Sequence, residues 1–164
     1  MLLKKPSFLK LVNRLQPSDQ KLIREWLEDF VPRRIFDSHA HLLRGDHFPD
    51  QNRHPIIPKN ALFDWRSYQA AMKRWLPKKR NVQGLFFGFP GAGNDRAAIN
   101  PWLAKQIEKD SGPTRSRALV LAAPTDDPDT VRSLLQKRGP FVGIKPYHLY
   151  APRKPTTQAK IEDF

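Results

Sequence analysis

The sequence predicts an α/β fold organised around a parallel sheet, on three observations. Short apolar runs at 34–38, 82–87, 118–123 and 141–145 are separated by longer segments of helical periodicity. The later runs are continuously apolar rather than alternating, the pattern of strands buried on both faces. Their spacing of roughly 25–45 residues leaves room for the helical crossover that joins parallel neighbours.

Two helices are expected first. Ser7 is placed to cap a short one carrying Phe8, Val12 and Leu15. Ser18 is placed to cap a second, with Leu22, Ile23, Trp26, Leu27 and Phe30 on one face. Pro32 ends it, since proline lacks the N–H and clashes with the preceding turn. The first strand, Arg34 to Ser38, follows. Leu43 to Lys59 is irregular, with Pro49, Pro55 and Pro58. Asn60 is placed to cap a helix from Ala61 to Leu76, stopped by Pro77. Trp65, Tyr68 and Met72 recur at helical spacing and form its buried stripe.

Val82 to Phe87 is the second strand. It runs into Gly88-Phe89-Pro90-Gly91-Ala92-Gly93. Position 96 is Arg and no Gly-Lys-Ser/Thr follows, so neither nucleotide fingerprint is met and the segment is a strand-to-helix turn. Asn100-Pro101 is expected to start a helix, with Pro at its first position, Trp102, Leu103 and Ile107 facing inward, and Gly112-Pro113 as its stop. Ala118 to Ala123 is the third strand. Asp127-Pro128-Asp129 supplies cap, proline and first-turn acid to a helix whose apolar face is Val131, Leu134 and Leu135, ended by Gly139. Phe141 to Lys145 is the fourth strand, closed by Pro146. Residues 151–164 lack periodicity and read as a loop.

Composition narrows the function classes. With 39% hydrophobic residues in 164, the chain is long and apolar enough for one domain with a core, which argues against global disorder. Nothing approaches a spanning apolar run, and the N-terminus lacks a secretory pattern, so no membrane partner is expected. There are no cysteines, which excludes disulfides and thiolate metal sites and fits a reducing, cytoplasmic setting. No Gly-x-Ser-x-Gly elbow occurs either, so catalysis by a side-chain nucleophile finds little support.

The formal charge is +13. It describes either a solvated basic surface or a polyanion-binding one. The densest clusters are Lys73-Arg74, Lys78-Lys79-Arg80 and 132–138, with Trp65, Tyr68 and Trp75 near the first two. Along the chain the basic residues are scattered and carry no recognised nucleic-acid motif, so nucleic acid is not the expected partner.

The chemistry concentrates in Phe36-Asp37-Ser38-His39-Ala40-His41. Residues two apart on a strand share a side, so Asp37, His39 and His41 are expected on one face. Two imidazoles there suit a divalent metal, which turns water into a nucleophile. Asp37 is then an acceptor that orients an imidazole, or else a partner for a backbone N–H or for Arg33 and Arg34. The plain alternative for the histidines is a pair of ordinary polar residues at a strand end. His47, His54 and His148 fall in loops and suit surface or packing roles. His148, directly after the fourth strand, is also placed to touch a small-molecule substrate.

Five segments in order resemble the amidohydrolase superfamily, most closely its amidohydrolase-related branch. They are Ile35 to His41, Val82 to Pro90, Asn94-Asp95, Ala118 to Pro124 and Phe141 to Tyr147. The resemblance covers about 34–151. It implies a partial (β/α)8 barrel of about four βα units at 33–164, preceded by an N-terminal helical extension at 1–32. It also implies that His39 and His41 are metal ligands, with zinc the expected ion, in a hydrolase of amides, esters or lactones. A non-oxidative decarboxylase of the same superfamily and a non-catalytic basic anion- or nucleic-acid-binding module are the alternatives. Some branches place a carboxylated lysine on strand four, which makes Lys145 a candidate for metal bridging or for contact with a substrate anion. The family's later histidines and its strand-eight aspartate have no counterpart here. The chain is therefore expected to be an N-terminal half (a truncation, a split subunit or an incomplete reading frame) with little activity alone. A second polypeptide or self-association would complete the barrel.

Overall fold

The computed structural model describes residues 15–49, 57–110, 112 and 115–150. Five strands form one mixed sheet: β1 Arg34–Arg44, β2 Leu62–Phe63, β3 Asn81–Gly88, β4 Arg117–Ala122 and β5 Phe141–Pro146. Their order is β2-β1-β3-β4-β5. The four expected strands are all present, parallel and adjacent in chain order, while β2 runs antiparallel on the outer side of β1. β1 is longer than the expected Arg34 to Ser38 because His39 to Arg44 continue it, Leu43 and Arg44 pairing with Phe63 and Leu62.

The helices are α1 Pro17–Leu22, which runs on through a π-helical segment Ile23–Leu27, then α2 Trp65–Trp75, α3 Arg96–Ile107 and α4 Pro128–Gln136. One face of the sheet carries Ala40 and Leu42, Val82 and Phe86, Ala118 and Val120, and Phe141. Trp65 and Tyr68 of α2 and Leu103 and Ile107 of α3 bury against it, with Met72 and with Val131, Leu134 and Leu135 of α4 at the margin. The apolar stripes expected of α2 and α4 are therefore the ones that pack. Fully burying such a side chain stabilises by about 1.5–3 kcal/mol.

Several helix starts differ from expectation, each for a local reason. α1 is capped at Gln16 rather than Ser18: Asp19 accepts the Gln16 N–H at 2.7 Å, and Pro17 takes the first turn. α2 begins after Asp64 rather than Asn60, because Leu62 and Phe63 pair with β1 and Asp64 accepts the Ser67 N–H at 2.9 Å. α3 begins after Asp95, which accepts the Ala98 N–H at 3.0 Å, so Pro101 lies inside the helix. Asn100 is no cap. It is buried, its Nδ2 donates to Leu121 O at 3.0 Å, and its Oδ1 accepts the Leu121 N–H at 2.9 Å. α3 also ends at Ile107, before Gly112, and α4 at Gln136, before Gly139. The start of α4 follows the sequence expectation, with Asp127 accepting both Asp129 and Thr130 N–H.

The apolar face expected for the helix after Ser18 is not buried against the described residues. Trp26 is 70% and Phe30 82% exposed. The Ser7 helix, His54 and the 151–164 loop lie outside the described residues.

Candidate metal centre

β1 enters the site through an irregularity that sequence parity does not reveal. Asp37 pairs with Gly84 but Ala40 with Phe86, so β1 holds one more residue than β3 over this span. Such a bulge reverses the alternation of side chains. Asp37 accordingly lies on the helix-covered face, where Oδ2 accepts the Tyr68 hydroxyl at 2.9 Å. His39 and His41 lie on the opposite face, both against the Phe87 ring. The expectation that Asp37 shares their face is corrected by this extra residue. Its Oδ1 accepts the His39 backbone N–H at 3.0 Å, so it braces the bulge rather than orienting an imidazole. Burial and the adjacent Asp37 carboxylate push the Tyr68 phenol well above its ordinary range.

The two histidines converge as the sequence suggests. His39 Nε2 and His41 Nε2 are 3.2 Å apart. His41 Nδ1 is 3.2 Å from Gly88 O, and since a carbonyl only accepts, Nδ1 carries the proton and Nε2 presents its lone pair. Burial lowers the His41 pKa, and the neighbouring His39 and Lys145 lower it further against the opposing Gly88 hydrogen bond. The carbonyl is held in place by packing. A Cβ on Gly88 would stand 2.3 Å from Ile99 Cγ2, so only glycine lets α3 close on the end of β3.

Lys145 reaches the same face, its Nζ 4.8 Å from the Phe87 ring centroid and 5.3 Å from that of Tyr147. Phe89 closes on His41 at 5.2 Å between centroids. Sequence reasoning missed Phe87, Phe89 and Tyr147, although the parity that selects Lys145 on β5 continues to Tyr147. The Tyr147 hydroxyl is buried with no hydrogen-bond partner among the described residues, and burial pushes its pKa to about 12. His148 opens the 3₁₀ turn His148–Tyr150 directly after β5.

The loops above the strands are tied together. Arg96 makes a two-pronged ion pair with Asp126, the guanidinium lying 4.7 Å from the Tyr150 ring centroid. The Tyr150 hydroxyl donates to Asn94 Oδ1 at 3.0 Å, and Asn94 Nδ2 donates to Phe89 O at 3.0 Å. These contacts join the segments after β3, β4 and β5.

His47 is a packing residue, as expected, buried edge-on against Trp102 at 5.4 Å. Burial lowers its pKa below the ordinary 6.5. A neutral buried histidine takes up fewer protons than its unfolded counterpart, so its contribution is complete above pH 6.5 and is lost as pH falls through that value toward the lowered folded one. Urea unfolding at neutral and acidic pH is expected to show stability falling with pH more steeply in the wild type than in His47→Phe.

Among the described residues no group of three or more His, Cys, Asp or Glu side chains is placed to hold a metal ion, and no helix is long and apolar enough to cross a membrane. No family model, curated protein or solved structure matches the chain. The donor set is nevertheless of the right kind for zinc: two imidazoles with converging Nε2 atoms, one with its tautomer set by a backbone carbonyl.

Proposed function

We propose that His39 and His41 contribute two protein ligands to a divalent-metal site, best suited to zinc, in a hydrolase of amide, ester or lactone bonds built on part of a (β/α)8 barrel. The observation that carries this reading is the 3.2 Å convergence of the two Nε2 atoms, with His41 Nδ1 committed to Gly88 O. A metal bound there would lower the pKa of a water and polarise a carbonyl. The chain's own residues have separate tasks. Burial favours the neutral form of His41, Phe87 and Phe89 pack against its ring, and Lys145 offers a cation to an anionic substrate group. The Tyr147 hydroxyl, without a partner among the described residues, is available as a donor.

A catalytic zinc normally has three protein ligands, so this reading requires another polypeptide segment or a second copy of the chain. Exposed apolar residues on β5 support that requirement. Among the described residues β5 pairs only with β4, and Val142 and Ile144 are 58% and 48% exposed.

The test is hydrolysis of p-nitrophenyl acetate by the purified protein with zinc and with chelator. Slow, zinc-dependent turnover that is lost in His39→Ala/His41→Ala is expected. Turnover unchanged in the variant, or turnover no faster than zinc alone from zinc-loaded, self-associated protein, would overturn the hydrolase reading.

A further inference from the structure

The basic residues scattered along the sequence are gathered by the topology. Every strand of a parallel array begins at the same end. β1 is entered through Arg33 and Arg34, and β3 through Lys78 and Lys79. β4 opens with Arg115 and Arg117, and β5 follows Lys137 and Arg138. α2 returns to this end, and its last turn carries Lys73 and Arg74. The acidic helix caps Asp64, Asp95 and Asp127 lie at the other end, where the strands finish. Arg80 is set apart, since its guanidinium donates to Glu28 O, Val31 O and Lys78 O.

Arg115, Arg117 and Arg138 line one cavity of about 670 Å³ at this end. All three are exposed, and none has an ion pair among the described residues. Glu108 and Asp110 also line it, but both Asp110 oxygens accept backbone N–H groups, from Gly112 and Ser116. The strands are staggered: Arg34 pairs with Asn81, whereas Arg117 pairs with Leu85, four residues further along β3. With neighbouring strands about 4.8 Å apart, the basic edge extends roughly 20 Å. Trp75, 39% exposed, sits beside Lys73 and Arg74.

We propose that this end of the sheet binds the phosphodiester backbone of single-stranded nucleic acid. Arg115, Arg117 and Arg138, without an ion pair among the described residues, match successive phosphates, and an exposed tryptophan among cations is a platform for a base outside a duplex. An anionic membrane fits less well, because the helical segment with exposed Trp26 and Phe30 carries Asp19, Glu25, Glu28 and Asp29 against Lys21 and Arg24. The face is at the opposite end of the sheet from His39 and His41 and needs no metal, so it stands or falls apart from the hydrolase reading.

The test is fluorescence anisotropy of a labelled oligothymidylate with the full chain, over about 50 to 200 mM salt. The logarithm of affinity is expected to fall linearly with that of salt, by about 0.7 per phosphate neutralised. Arg115→Ala/Arg117→Ala/Arg138→Ala should weaken binding about tenfold or more and reduce the slope by about 2. The matching triple change to lysine should retain most of the affinity, which separates charge from folding. Lys59→Ala/Arg66→Ala/Arg132→Ala removes equal charge elsewhere and should change affinity no more than about twofold. Absence of binding at low salt, equal losses in the two alanine triples, or binding to phosphatidylserine vesicles without binding to the oligonucleotide would overturn the proposal.

Discussion

Replacing His39 and His41 together by alanine is expected to abolish stoichiometric zinc binding. The two Nε2 atoms, 3.2 Å apart, are the only imidazole nitrogens that the described residues bring together, and the His41 tautomer is already set by Gly88 O. Even changes to residues that merely orient a ligand cost about 10–100-fold in metal affinity, so loss of both ligands should exceed about a hundredfold. Protons compete with metal for imidazole lone pairs, so wild-type affinity should rise with pH. Because burial lowers the His41 pKa, that ring is free for metal at a lower pH than an ordinary histidine. Zinc titration with elemental analysis is the measurement. His47→Phe is the control, since His47 packs against Trp102 and should leave binding unchanged. Equal zinc uptake by wild type and double variant would remove the metal centre.

Asn100→Leu is expected to destabilise the fold by about 3 kcal/mol, because it strands two backbone groups at once. Pairing between β3 and β4 is recorded at Leu85↔Arg117 and Phe86↔Ala118, before β4 reaches Leu121. Leu121 is fully buried, and both its N–H and its C=O are satisfied by the one Asn100 amide. Leucine has the same number and branching of side-chain heavy atoms but neither donor nor acceptor, so each group loses its partner at about 1–3 kcal/mol. Urea or thermal unfolding should register a fall in midpoint of roughly 10 °C. Asn100→Asp keeps the acceptor for Leu121 N–H but no longer donates to Leu121 O, so it should be destabilised as well. A neutral effect of both would show that the amide does not bridge helix to strand.

Much of the fold is legible in the chain because its signals are local. Continuous apolar runs mark the four parallel strands, and Asp127-Pro128-Asp129 caps α4 through groups two and three residues away. The stripe of Trp65, Tyr68 and Met72 is equally local and packs as its spacing indicates. Helix starts fail where a competing partner is distant. Asn100 has the chemistry of a cap, yet its amide goes to Leu121 on a neighbouring strand, and Asp95 takes the cap instead.

The candidate site divides along the same line. His39-x-His41 share a face by strand parity alone, so sequence determines that the two imidazoles meet. The same rule puts Asp37 on that face, but an extra residue opposite β3 turns it toward Tyr68, and a bulge is visible only in the pairing of two strands. Lys145, Phe87 and Tyr147 come together across strands far apart in sequence, and the arginines of the basic end are collected from the starts of separate strands. Sequence by itself determined the strands, most apolar helix faces and the histidine pair, because these depend on neighbours along the chain. Tertiary structure alone decided which face Asp37 occupies, what Asn100 bonds and how scattered charge becomes one surface, because each depends on groups that only folding brings within reach.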